Sequence, residues 1–504
     1  MQVNVLVGAI QEMAADAIVV NLFEGVDAPG GATGAVDAAL DGAIAALLAT
    51  GDFTGASGTS AVLYTRGKLP AERVILVGLG PREEFSLEQV RRAAAEAALQ
   101  ARKLNVRRLA SVIHGAGAGG LDIDEAAYAT VEGSLLALYE YAGRKRRKDE
   151  ADSADLEQLT LAVFDPAQQS NVAGAVQQAE HVVAGVTLAR DLVNMPPNFC
   201  TPAYMADTAT RVGEEVGLRV QVLERGQMQA LGMGALLAVA QGSETPPRFI
   251  IMEHNASRAE ELPSIVLVGK GITFDTGGYN LKTGEGMSTM KLDMAGGAAV
   301  IGAMRAIGGL DLPLHVVGLV PAADNMISGR AYRPQEVVTA SNGTTIEVVS
   351  TDAEGRMLLA DALVFAARFQ PEAVVDVATL TGACVVALGR GIAAGLFSTS
   401  ERIRDTLLES AAYSGEKLWP MPLFKEYEKS LESDVADLKH SGGKGGGVGT
   451  SATFLKHFTS YPWAHVDMAG MAADLKDVPY MPSGASGFGV RLLVDFCRRW
   501  QSEA

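Results

Sequence analysis

The stretch Ile265-Val266-Leu267-Val268-Gly269-Lys270-Gly271-Ile272-Thr273-Phe274-Asp275 puts an unbroken apolar run in front of a glycine and a lysine, and ends on a carboxylate. Such a run, bounded by glycine, suits a strand buried on both faces of a sheet. Phe249–Met252, Leu314–Val320, Ala373–Val377 and Ala464–Met468 read the same way, and Arg219–Leu223 and Thr345–Val349 are further strands. Helical stretches lie between them. This part of the chain therefore reads as an α/β domain with a mostly parallel central sheet flanked by helices. Ligands bind such sheets outside the carboxyl ends of the strands. The charged, glycine-rich segment that begins at Lys270 falls there.

Towards the N-terminus the pattern is again α/β. Val3–Val7, Ala17–Asn21, Ala61–Tyr64, Val74–Val77, Leu109–His114 and Leu159–Phe164 read as strands, and Ser86–Lys103 as a helix capped by Ser86. A helix over about 168–193 ends at the breaker Asn194-Met195-Pro196-Pro197-Asn198. The expected organisation is an N-terminal α/β domain over 1–165, a connecting helix over 166–195 and a larger catalytic domain over 196–504. A chain of 504 residues, 48 % hydrophobic, is long enough for two or more cores.

The net charge of −17 repels phosphate backbones and makes nucleic-acid binding an unfavoured reading. The basic run Arg144–Lys148 is followed at once by Asp149, Glu150 and Asp152, as in a solvated exposed segment. Three cysteines, Cys200, Cys384 and Cys497, lie far apart without CxxC spacing, which suits reduced thiols. The N-terminus lacks the basic start and apolar core of a signal peptide, and no apolar run reaches the ~20 residues that span a bilayer. A cytoplasmic protein with no membrane contact is expected.

The chemistry concentrates in two clusters. The first carries Lys270, Asp275, Lys282 and Asp293; the second is Ser350-Thr351-Asp352-Ala353-Glu354-Gly355-Arg356, directly after Thr345–Val349. If Asp275, Asp293, Asp352 and Glu354 converge, like charges in a low-dielectric site cannot all stay ionised without cations. Two divalent metals would neutralise them and could activate a shared water. Taken singly, the same acids fit blander roles. Thr351-x-x-Glu354 matches a capping box, and Asp293 could cap a helix starting near Ala295. No HExxH, GxSxG or GxxxxGK[S/T] motif is present. The seven histidines are scattered, and His315 and His465 on strands suit core or supporting roles, so a metal site here would be built from oxygen ligands.

Ser350–Arg356 closely resembles the signature of the leucyl (cytosol) aminopeptidases, peptidase family M17. Lys270-Gly-x-x-x-Asp275, then Lys282, then Asp293 falls on the family spacing, and Asp376–Ala383 and Gly484–Leu493 match as well. Ser350 stands where the family usually has Asn, and Met357 where it has Leu; neither position supplies a metal-binding or catalytic side chain. The resemblance covers Val193 to the C-terminus in detail. It implies an aminopeptidase that releases N-terminal residues, Leu-like or Met-like, from short peptides. Asp275 and Glu354 would bridge two metals, zinc or manganese ahead of magnesium or cobalt. Lys270, as a neutral amine, and Asp293 would complete the tighter site, and Asp352 the looser one. Lys282 would stabilise the oxyanion, and Arg356 would hold a bicarbonate ion acting as general base. Met290, Thr379, Leu380, Gly382 and Ala469 would line the first side-chain pocket. A homohexamer with inward-facing sites is the implied assembly. A DNA-binding oligomer on the same fold, a catalytically dead structural member and a two-metal phosphatase are the alternatives. The acidic charge, the complete set of expected residues and the absence of a phosphate-gripping loop respectively oppose them.

Overall fold

A computed structural model of the chain describes residues 1–143, 155–443 and 445–502. The basic run Arg144–Lys148 lies outside the described residues. The chain divides into two compact units, Met1–Val183 with Asp477–Pro482, and Ala184–Lys476 with Ser483–Ala504. The boundary falls inside one helix, Gln169–Asn194.

The first unit holds β1 (Gln2–Val7), β2 (Ala17–Leu22), β3 (Ser60–Tyr64), β4 (Arg73–Gly78), β5 (Arg108–Val112) and β6 (Gln158–Val163), in the order β1-β6-β5-β2-β4-β3. Every pairing is parallel except that of the edge strand β3 with β4. Successive side chains of a strand point to opposite faces. Ile18, Val20, Val74 and Leu76 therefore fill one core layer, while Val19, Ile75 and Val77 meet Ala93, Ala97 and Ala101 of the helix Leu87–Lys103 in the other. Ser86 caps that helix, accepting the Glu88 N–H at 3.3 Å.

The second unit is built on β7 (Arg219–Leu223), β8 (Arg248–His254), β9 (Ser264–Gly269), β10 (Gly271–Asp275), β11 (His315–Asn325), β12 (Val337–Thr339), β13 (Thr345–Glu347), β14 (Ala373–Ala378), β15 (Ala394–Ser398), β16 (Leu418–Pro420), β17 (Leu438–Lys439) and β18 (Trp463–Asp467). The main sheet runs β16-β15-β18-β14-β9-β11-β8-β7, with β10 added on β11. Its centre, β18-β14-β9-β11, is parallel, and antiparallel pairs flank it. Ile265–Val268 is fully buried. One face of the sheet packs on the helix Ala295–Leu310, the other on a core that includes Leu358, Leu359 and Ala362 of the helix Gly355–Ala366.

Two expectations are corrected. Thr345–Val349 is not a strand of the main sheet: β13 stops at Glu347 and belongs to a separate three-stranded sheet, β12-β13-β17. Beyond Glu347 the Val348 N–H still donates to Glu336 O at 2.8 Å, whereas the Val349 N–H donates to a side chain, His440 Nδ1 at 3.1 Å. Gly271–Asp275 is a strand rather than a loop. Lys270 marks the break before it: its N–H donates to Val377 O at 3.1 Å and its carbonyl accepts from Gly297 N at 2.7 Å. The chain leaves the β9 register there, and β10 pairs with β11 alone.

His315 and His465 sit in the core as expected. The Asp376 carboxylate accepts from Trp463 Nε1 at 2.7 Å and lies 2.6 Å from His465 Nδ1, all three side chains being buried. Burial opposes charge on His465, but Asp376 outweighs it and raises the imidazole's pKa. Asp376→Ala would strand the indole and imidazole donors in the core, a loss of about 3–5 kcal/mol. It should appear as a lower urea midpoint with an unchanged slope.

Among the described residues no single helix is long and apolar enough to cross a membrane. The apolar pair Gly31–Ala39 and Ala43–Thr50 is bent by 105°, and its Val36 and Ile44 pack into the core of the first unit.

Candidate metal centre

The centre lies where β9, β10, β11 and β14 end. Asp275 is the last residue of β10 and pairs with Asn325, the last of β11. Asn325 Nδ2 donates to Asp275 Oδ1 at 2.7 Å and to Thr351 O at 2.9 Å, so one side chain joins the two charged clusters. Thr351 completes the clasp. Its hydroxyl donates to Gly277 O at 2.6 Å and its N–H to Asn280 Oδ1 at 2.9 Å, and its carbonyl also accepts Tyr332 Oη at 3.0 Å. Gly277, at φ +83°, makes the reversal that brings Lys282 back: a Cβ there would lie 2.4 Å from Asn280 O.

Two lysines hold the acids. Lys270 Nζ lies 2.9 Å from Asp293 Oδ2 and 2.7 Å from Glu354 Oε1. Lys282 Nζ lies 2.8 Å from Asp275 Oδ2 and 2.6 Å from Asp352 Oδ1. The Lys270 group is buried, whereas the Asp352 side chain is 37 % exposed, so the centre opens to solvent on the Lys282 side. Gly355 is required beside it, since a Cβ there would sit 2.5 Å from Lys270 Cε. No acid side chain caps these two helices: Met294 and Glu354 hold the N-cap positions, and neither side chain bonds a helix N–H.

Burial and mutual repulsion act on these groups together. Burial, with repulsion from Glu354, pushes Asp275 up to about 6 against the pull of both lysines. Burial also raises Asp293 well above the carboxylate range, although Lys270 opposes it. Burial raises Asp352 too, again opposed by Lys282. Glu354 goes the other way: burial disfavours its charge, but Lys270 and Lys282 outweigh it and hold the carboxyl at about 2. Burial works against charge on both lysines, and the surrounding carboxylates overcome it and raise both pKa values. Four acids and two ammonium groups thus leave an excess of negative charge that buried surroundings resist.

That excess is what divalent cations would neutralise, and the donor set fits them. One oxygen each from Asp275, Asp293 and Glu354 lies within 4.8 Å of the others. Asp293 Oδ2 is buried, with Lys270 Nζ 2.9 Å away as its charged neighbour. Here the amine is held charged, and it would become a ligand only by giving its proton up to a cation's field.

Arg356 is buried, and Nη1 donates to His440 O at 2.6 Å. Its Nε is buried without a partner, a donor available to an anion. Burial lowers the guanidinium pKa to about 10. Leu380 N and Ala469 N both donate to Asp467 Oδ1 at 3.2 Å, which draws these two residues together. Gly382 begins the helix Gly382–Leu388 and has open space where a Cβ would stand. Met290 begins the 3₁₀ turn that leads to Asp293. The Thr379 hydroxyl is bonded to Asp293 at 2.7 Å. Asn325, Tyr332, His440 and Asp467 are parts of this neighbourhood that the motif reading did not single out.

Carboxylates and lysines gathered at the carboxyl edge of an α/β sheet fit a hydrolase centre of the metal-dependent kind. Family models agree. One described as "Cytosol aminopeptidase family, catalytic domain" matches residues 187–494, and one described as "Cytosol aminopeptidase family, N-terminal domain" matches 19–148. A probable cytosol aminopeptidase of Syntrophotalea carbinolica is 45 % identical over 91 % of this chain and 92 % of its own length. One from Geobacter sp. strain M21 is 44 % identical over 97 % and 98 %. A mutant of tomato leucine aminopeptidase superposes with a TM-score of 0.88 at 35 % identity, over 99 % of this chain and 96 % of that one. The bottromycin maturation enzyme BotP in complex with Mn superposes with 0.84 at 34 % identity, over 97 % and 100 %. The chain belongs to the cytosol aminopeptidase family. It is an aminopeptidase, a hydrolase of a family that depends on divalent metals.

Proposed function

We propose that the chain releases the N-terminal residue of short peptides at a two-metal centre formed by Lys270, Asp275, Asp293, Asp352 and Glu354. The observation that carries this reading is the meeting of four carboxylates from two distant segments around two lysines. Asp275 and Glu354 serve both metals, Lys270 and Asp293 the inner one, and Asp352 the outer one. The half-exposed Asp352 supports that division. The cations would supply Lewis acidity, making water a nucleophile at neutral pH and drawing charge onto the scissile carbonyl. Manganese or zinc suits the donor set first, with magnesium or cobalt as substitutes.

Lys282, on the open side, stays protonated and donates to the oxyanion that develops on the carbonyl oxygen. Arg356 holds bicarbonate through its free Nε, and that anion would supply the proton acceptor that no nearby histidine offers. His440 accepts Arg356 Nη1 at its carbonyl, and burial pushes its imidazole down to about 4, with its ring nitrogens engaged by Val349 N and Ser350 O. Met290, Thr379, Leu380, Gly382 and Ala469 line the pocket for the released side chain. An apolar lining favours Leu-like and Met-like residues by modest factors. The assembly is a homohexamer. Large exposed apolar side chains on the catalytic unit, Val386, Ile392, Trp419 and Phe424, give subunits something to cover. The three buried, unpaired cysteines suit the reducing cytoplasm.

Aminoacyl chromogenic substrates assayed on chelated protein, with one metal restored at a time and bicarbonate added or withheld, test the reading. Activity should be absent after chelation, return with manganese or zinc, and be highest for Leu and Met. Full activity in the chelated protein would contradict it.

A further inference from the structure

We propose that Thr379 is a positioning residue that aims both inner ligands, Asp293 and Lys270, at one cation; this rests on the ligand assignment above. Its hydroxyl donates to Asp293 Oδ1 at 2.7 Å and stands 3.2 Å from Asp293 O. Its carbonyl accepts Lys270 Nζ at 3.0 Å. A carboxylate turns easily about its last torsion. Lys270 Nζ lies 2.9 Å from each Asp293 oxygen, so the Thr379 hydroxyl is what distinguishes them: it occupies Oδ1 and leaves Oδ2 facing the Lys270 amine alone. Asp293 is thereby fixed as a ligand through one chosen oxygen. The same logic applies to the lysine. A neutral amine has a single lone pair, and an N–H engaged by Thr379 O restricts where that lone pair points.

Thr379 is itself held still. It follows the last residue of β14, is 7 % exposed, and is succeeded by Leu380 and Thr381, whose N–H groups both donate to Asp467 Oδ1. A rigid outer support of this kind typically changes metal affinity about 10–100-fold when removed. The two faces of the residue can be separated. A pocket wall needs only the methyl group, whereas the positioning role needs only the hydroxyl. Thr379→Val removes the hydroxyl and keeps the shape; Thr379→Ser keeps the hydroxyl and removes the methyl.

The test uses the full chain stripped of metal and titrated with Mn²⁺ by calorimetry. Thr379→Val should weaken one of the two Mn²⁺ steps by about 10–100-fold and leave the other nearly unchanged. The thermal midpoint of the metal-free protein should not move. Thr379→Ser should retain both affinities. Unchanged Mn²⁺ binding in Thr379→Val, or an equal loss in Thr379→Ser, overturns the proposal. Should Thr379→Val not fold, Thr379→Ala set against Thr379→Ser gives the same contrast. Glu354→Ala run alongside separates the two levels of inference. If it also binds two Mn²⁺ ions normally, the ligand assignment fails; if it does not and Thr379→Val does, only the Thr379 role fails.

Discussion

Glu354→Ala is expected to abolish aminopeptidase activity, to about 10⁻³ of the native rate or below, while leaving the fold and the assembly in place. The size follows from what the side chain would do. Glu354 is the acid closest to Lys270, at 2.7 Å, and the one whose carboxyl is held lowest, so it is a full negative charge at any working pH. If it serves both cations, its removal costs each of them a ligand. Lewis-acid stabilisation is worth several kcal/mol, and about 4 kcal/mol corresponds to a factor of about 10³ in rate. Glu354→Gln, which keeps the shape and removes the charge, should be nearly as inactive. The measurement is the release of Leu from a chromogenic substrate at saturating Mn²⁺, with sedimentation of the same sample. Native-like turnover in either variant would remove Glu354 from the centre.

Lys282→Ala should lower kcat by about 10²–10³ and change KM much less, the pattern of a donor that acts only on the transition state. Lys282 is placed for this. Burial opposes its charge, but Asp275 and Glu354 more than compensate, so it remains an ammonium group. It is 18 % exposed, at the mouth of the centre, whereas Lys270 is sealed inside at 3 %. The two lysines therefore take different parts: the inner one can reach only protein acids and a cation, the outer one can also reach a substrate. The assay belongs at saturating metal, because Lys282 also neutralises Asp275 and Asp352. An unchanged kcat would take the oxyanion role away from it.

The parallel centre of the main sheet was legible because β9, β11, β14 and β18 are buried on both faces and must be apolar throughout. The charged residues of the centre stood out for the same reason, as polar interruptions directly after apolar runs. Other features left no such trace. Thr345–Glu347 lies outside the main sheet because it pairs with β12 and with β17, a segment far away in sequence. The clasp of Asn325 with Thr351, and the hold of Asp467 on Leu380 and Ala469, are side-chain contacts between distant segments that impose no periodicity. Capping readings of Asp293 and Glu354 were equally compatible with the sequence, since a cap and a ligand both call for an acid at a helix start. Burial and the two lysine contacts separate them.

The central claim is that two cations share the acids of two distant segments. Anomalous diffraction at the manganese edge from Mn²⁺-soaked crystals tests it most directly. The account predicts two peaks ~3.5–4 Å apart, both within ligand distance of Asp275 and Glu354. A single peak, or peaks away from these two carboxylates, would contradict it.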